Sequence, residues 1–158
     1  MVWTSPRTWV AGEVPTAAIF NTHVRDNLKA IGDAWTSYSP TLGGWTLGNG
    51  TLTGYYLQAG KDVRGKVFYT VGSTDTKSGA LTISLPVTKV TDSGLGMPLG
   101  TAVLFDTSTS TRNFQHVAQN STTAMRFYSS AGAALTDTAP WTWATGDTLV
   151  ALFMYEAA

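Results

Sequence analysis

At Trp35 the hydrophobic period changes from about 3.6 residues to 2, and this switch constrains the fold more than any other feature of the chain. Before it, Pro15 to Ile31 carries apolar residues at helical spacing. After it, apolar and polar residues alternate in short runs. The clearest run sets Leu81, Ile83 and Leu85 against Ala80, Thr82 and Ser84; Val67, Tyr69 and Val71 alternate with Lys66, Phe68 and Thr70 in the same way. Such strands have one buried and one solvated face. Strands are expected over 35–39, 52–58, 66–71, 80–85, 100–105, 112–119, 124–128 and 148–155. The last of these, TLVALFMY, is apolar on both faces. That marks a central strand, or one whose second face meets another subunit. The punctuation is turn chemistry: Gly48-Asn49-Gly50, Gly72-Ser73, Asp92-Ser93-Gly94, Asp106-Thr107-Ser108 and Gly146-Asp147. The expected fold is mainly β, an antiparallel β-sandwich of jelly-roll type. The stretch over 42–58, LGGWTLGNGTLTGYYLQ, reads as its founding hairpin, turning at Gly48-Asn49-Gly50.

Composition agrees. Charged residues are only 13% of the chain, about half the usual share, and threonine and serine take their place. Threonine's branched Cβ suits a pleated, half-solvated strand. The formal net charge is zero and the basic residues are scattered, so no nucleic acid is expected as a partner. A surface so poor in charge suits a chain that assembles with others. There is no cysteine, which excludes disulfides and thiolate metal sites. The opening residues, MVWTSPRTWVAGE, lack the apolar run of a secretory signal, and no stretch approaches the ~18 apolar residues of a membrane span, so no membrane association is expected.

The chain divides into an N-terminal part, 1–34, and a β domain, 35–158. Residues 1–14 read as an extended arm, because Pro6 and Gly12 interrupt any helix. Trp3 and Trp9 either fold back on the domain or dock on a neighbouring protein. From Pro15, with Thr16 as cap, a short amphipathic helix runs to Gly32. Its seam is Ala17, Phe20, Val24, Asn27 and Ile31, widened by Leu28. A helix this short is not stable alone in water. The seam therefore packs on the sheet, on copies of itself with Asn27 setting register, or on another protein.

No enzyme signature is present. His23 and His116 have no second ligand at metal spacing, so neither metal nor cofactor is expected. The aspartates sit mainly in turns, serine is in no GxSxG elbow, and the Gly48-Asn49-Gly50 run lacks a phosphate loop's lysine. Trp45, Tyr55, Trp141 and Trp143 fall near strand ends and loops. They either plug the ends of the sandwich and its interfaces, or present rings to a glycan. Trp141 and Trp143, two apart in an extended segment, share a face.

Two segments carry a resemblance. One is Trp9, Gly12-Glu13, Thr16-Ala17-Ala18, Asn21 and Arg25-Asp26-Asn27-Leu28. The other is Leu47 through Gly54 with Tyr56, followed by Gly60-Lys61, Gly72-Ser73 and Ser84-Leu85-Pro86. Over roughly residues 9–90 the chain resembles virion structural proteins of tailed phages that infect actinobacteria: minor tail, fibre, collar and head-decoration proteins. It departs from their pattern at Tyr38-Ser39-Pro40-Thr41 and at Tyr55. The resemblance implies a virion appendage, commonly trimeric, whose partners are its own copies and other virion proteins; the competing reading is a carbohydrate-binding module, free or at the tip of such an appendage, whose partner is a host cell-wall glycan. Such a chain reaches the virion without a signal peptide.

Overall fold

The computed structural model describes residues 4–32, 34–91 and 96–158. Trp3 and the Asp92-Ser93-Gly94 turn lie outside the described residues. The alternating segments form nine strands: β1 Thr36–Tyr38, β2 Leu42–Thr46, β3 Thr51–Ala59, β4 Asp62–Thr70, β5 Thr76–Ser84, β6 Pro98–Asp106, β7 Thr111–Gln119, β8 Ala124–Tyr128 and β9 Thr148–Glu156. All pair antiparallel, in the order β1-β3-β4-β9-β6-β7-β8-β5-β2.

The ladder is continuous, so the two separate sheets of the expected sandwich are here one curled sheet. Its edge strands, β1 and β2, are consecutive in the chain and joined by Ser39-Pro40-Thr41. The end of β5 grips that link: Ser84 N–H donates to Thr41 O at 3.0 Å, and Thr41 N–H donates to Ser84 Oγ at 2.9 Å. Joining the edges this way forces the sheet to curl. The inward residues of β4 through β9 form one core, with Tyr69, Phe127, Leu81, Ile83, Leu104 and Leu149 fully buried. Strand β9 lies between β4 and β6 and is central, one of the two alternatives its sequence allowed.

The expected hairpin over 42–58 does not form. Strands β2 and β3 do not pair; β2 pairs with β5, and β3 with β1 and β4. The hairpin is β3–β4, closed by Gly60-Lys61 with Gly60 at φ +63, where a tight primed turn needs glycine. Gly48-Asn49-Gly50 is instead a crossover clasped by the loop 72–75. Asn49 N–H donates to Thr74 Oγ1 at 2.9 Å, and Thr74 N–H donates to Asn49 Oδ1 at 3.0 Å. Added Cβ atoms at Gly48, Gly50 or Gly72 would strike the facing backbone. These glycines serve close approach, the second use of a residue without a side chain.

Asp75 is the clasp. Its Oδ1 accepts from Gly48 N–H at 2.7 Å and Gly50 N–H at 3.0 Å. Its Oδ2 accepts from Tyr69 Oη at 2.7 Å and Gly72 N–H at 2.9 Å. Burial alone would raise this carboxyl, but the four donors outweigh it and hold it below the usual range. Burial and the same bond push the Tyr69 phenol up. Burial also raises Tyr155, to about 12, although its bond with Val87 opposes this.

Candidate functional site

The N-terminal helix is built in three pieces: α1 Ala17–Phe20, a π-helical segment Asn21–Arg25, and α2 Asp26–Ile31. Thr16 caps it as expected, accepting from Ile19 N–H at 3.3 Å. Gly32 follows as the C-cap, at φ −108. A π turn holds more residues than an α turn, so it rotates everything after it relative to an unbroken α-helix. Asn27 accordingly leaves the seam. It is buried, and its side chain pairs with both backbone groups of one residue: Thr4 N–H donates to Oδ1 at 3.0 Å, and Nδ2 donates to Thr4 O at 2.8 Å. His23 Nδ1 lies 3.2 Å from Ser5 O, adding a second tie. Asn27 therefore holds the N-terminal segment.

The segment 4–16 forms no regular element. It turns at Val10–Glu13, where Gly12 takes φ +79 and Arg7 bridges Glu13 at 2.7 Å. Trp9 is half-exposed beneath the Arg7 guanidinium, 5.2 Å from its ring. Replacing Asn27 by alanine removes the pair of bonds to Thr4, worth about 1–2 kcal/mol locally. Hydrogen exchange at Thr4 is expected to quicken roughly tenfold while the sheet amides keep their protection. Unchanged exchange at Thr4 would show that something else holds the segment.

Helix α2 rests on β3 and buries Ala30 there. The remaining seam side chains are not covered. Phe20 is 52% exposed, Leu28 65% and Ile31 57%; Ala17 is also exposed and Val24 is half-buried. A stripe of three large apolar side chains in water is costly, since burying each is worth about 1.5–3 kcal/mol. The sheet meets the helix without covering these three side chains.

The tryptophans separate into two groups. Trp45 and Trp143 are both 3% exposed and meet edge-on at 5.5 Å. Trp141 is half-buried against Trp143 at 5.6 Å and donates from Nε1 to Asp147 Oδ2 at 3.3 Å. Trp45 and Trp143 belong to the core, and Trp141 packs against it. A buried indole cannot stack on a sugar, so Trp45 and Trp143 leave the glycan patch. Tyr55 lies elsewhere, facing outward on β3 beside Phe68 at 6.5 Å. Lys66 Nζ stands 4.7 Å over Trp35 and 5.6 Å over Tyr55. This outward ladder of Trp35, Lys66, Tyr55 and Phe68 was not anticipated as a unit. Its signal lay in the alternation of β3 and β4, which puts Tyr55 opposite Lys66.

The loop carboxylates are structural. Asp147, fully buried, accepts from Thr107 N–H and Oγ1 through Oδ1, and from Trp141 and Ala144 N–H through Oδ2. Asp106 accepts from Ser108 and Thr109, which hold its carboxyl below the usual range. Among the described residues no three His, Asp or Glu side chains gather as metal ligands would. Among them, too, no helix is long and apolar enough to cross a membrane.

Comparison with protein-family models, with curated proteins and with solved structures gave no match.

Proposed function

We propose that this chain is a non-enzymatic structural protein of a tailed-phage virion, an appendage assembled in three copies and attached through its N-terminal arm and helix. The observation that carries the reading is the bare set of Phe20, Leu28 and Ile31 on a helix that rests on β3 without covering them. A helix of this length keeps such a stripe in water only if a partner covers it in the working state. The motifs that resemble virion proteins, Thr16-Ala17-Ala18 and Arg25-Asp26-Asn27-Leu28, belong to the same helix. The loop carboxylates support the non-enzymatic part, because Asp75, Asp106 and Asp147 spend their oxygens on local donors. The alternative, a glycan-binding tip, retains only Trp141 and Tyr55 of its four side chains.

The test is incorporation. An antibody raised against the purified chain is expected to label intact particles. Particles that can draw only on a Phe20→Glu/Leu28→Glu chain are expected to lose the label. Full labelling with that variant would contradict attachment through the helix, and unlabelled wild-type particles would contradict the virion role itself.

A further inference from the structure

The outer surface of the curled sheet is divided. On β5 and β8 the outward positions are small or polar: Ala80, Thr82 and Ser84 on β5, with Thr82 opposite Arg126 on β8. Across β4, β9, β6 and β7 one row is apolar and aligned, flanked by charged or polar positions such as Arg64, Lys66, Thr101, Arg112 and His116. Phe68 pairs with Val150, Val150 with Val103, and Val103 with Phe114, giving one row that crosses four strands in register. Leu152 and Met154 extend the face along β9, each 56% exposed, and Phe114 is 71% exposed. Phe68 joins this face to the ladder of Tyr55 and Trp35.

From this division we infer that the outer face of β4-β9-β6-β7 is the contact between copies of the chain, leaving the helix stripe free for a different virion protein. The inference rests on the several-copy reading above and names the surface that makes it. Area supports a second copy as the occupant. Half-exposed side chains of about 200 Å² each, across this face and its ladder, offer roughly 600 Å². The valines and threonines between them bring the face close to the ~800 Å² per partner of a standard interface. That also exceeds what most monomers leave bare, which is about 300–600 Å². Charge permits self-packing as well, since the net charge is zero, the row itself holds no charged residue, and the charges beside it are of both signs: Asp62 and Glu156 against Arg64, Lys66 and Arg112.

The experiment is sedimentation equilibrium on the full chain, on Phe114→Glu/Leu152→Glu, and on Phe20→Glu/Leu28→Glu. Both pairs sit on exposed positions, and circular dichroism on each variant serves as the control for folding. The wild type is expected at a multiple of 16.8 kDa. The sheet-face variant is expected to weaken association at least about 100-fold, because it places unpaired carboxylates in a dry contact. The helix variant is expected to associate as the wild type does. A sheet-face variant that assembles normally overturns the inference and leaves the attachment reading standing. A monomeric wild type overturns the inference and the copy number together, and the labelling experiment then decides the virion role alone. Because the chain has no cysteine, Phe114→Cys supplies a single thiol for a second readout. Maleimide is expected to react at least about tenfold more slowly with assembled chains than with dilute monomer. Equal rates would overturn the inference.

Discussion

Asp75→Ala is expected to lower the stability of the fold by about 3–5 kcal/mol, because it strips acceptors from four donors at once. Gly48, Gly50 and Gly72 N–H and the buried Tyr69 hydroxyl all converge on this carboxylate. The loss falls on the clasp between the crossover 47–50 and the loop 72–75, which together set where β2 and β4 end and where β3 and β5 begin. Thermal melting should register a drop of about 6–20 °C at neutral pH for a domain of this size. The pH dependence has a definite sign. The carboxyl is lower in the folded chain than in the unfolded one, where it titrates near 3.9. The stability it contributes is therefore complete above about pH 4 and is lost as pH falls through the lower folded value. The gap between wild type and Asp75→Ala should narrow in that acid range. A gap that stays constant from neutral pH to acid would mean the carboxylate form is not what the donors hold.

Gly65→Val should be comparably damaging for a different reason. Gly65 of β4 lies opposite Phe153 of β9, and the phenyl ring covers the glycine. Gly100 of β6 faces the same residue from the other side. Phe153 thus lies between two strands that carry glycine at its level, an arrangement of aromatic over glycine that fills the space a side chain would take. A Cβ at position 65 would land inside the ring, so the ring must leave a site where Phe153 is 4% exposed. Displacing a buried phenylalanine costs about 3–5 kcal/mol, with overpacking added. Pairing Gly65→Val with Phe153→Ala should recover part of the loss, since the second change removes the clash. A double variant no better than the sum of the two singles would show that the two residues do not oppose each other.

Much of this architecture was legible because strand periodicity is local. All eight expected strands exist, and the doubly apolar run over 148–155 is central, one of the two alternatives its sequence allowed. Pairing was less legible, because partner choice depends on residues far apart in the chain. Gly48-Asn49-Gly50 has the composition of a hairpin turn, yet its glycines answer a loop that begins at Gly72. Nothing within 42–58 could reveal that. The sandwich expectation erred for the same reason: Ser39-Pro40-Thr41 reads as a loop, and only its bonds to Ser84 show that it joins the two edges of one sheet. In the helix, the seam spacing assumed a uniform α turn. The π segment at Asn21–Arg25 moved Asn27 under Thr4 and left Phe20, Leu28 and Ile31 bare. Trp143 illustrates a third limit. Alternation assigns it a face, but whether that face meets solvent depends on Trp45, almost a hundred residues earlier.

The proposal that this chain is a virion appendage is met most directly by density from an intact tailed particle, reconstructed with and without symmetry. The expected result is several copies of the curled sheet grouped about an axis, outer faces of β4-β9-β6-β7 together, with Phe20, Leu28 and Ile31 against a neighbouring virion protein. Particles that contain the chain with its helix stripe open to solvent, or purified particles that lack the chain altogether, would contradict it.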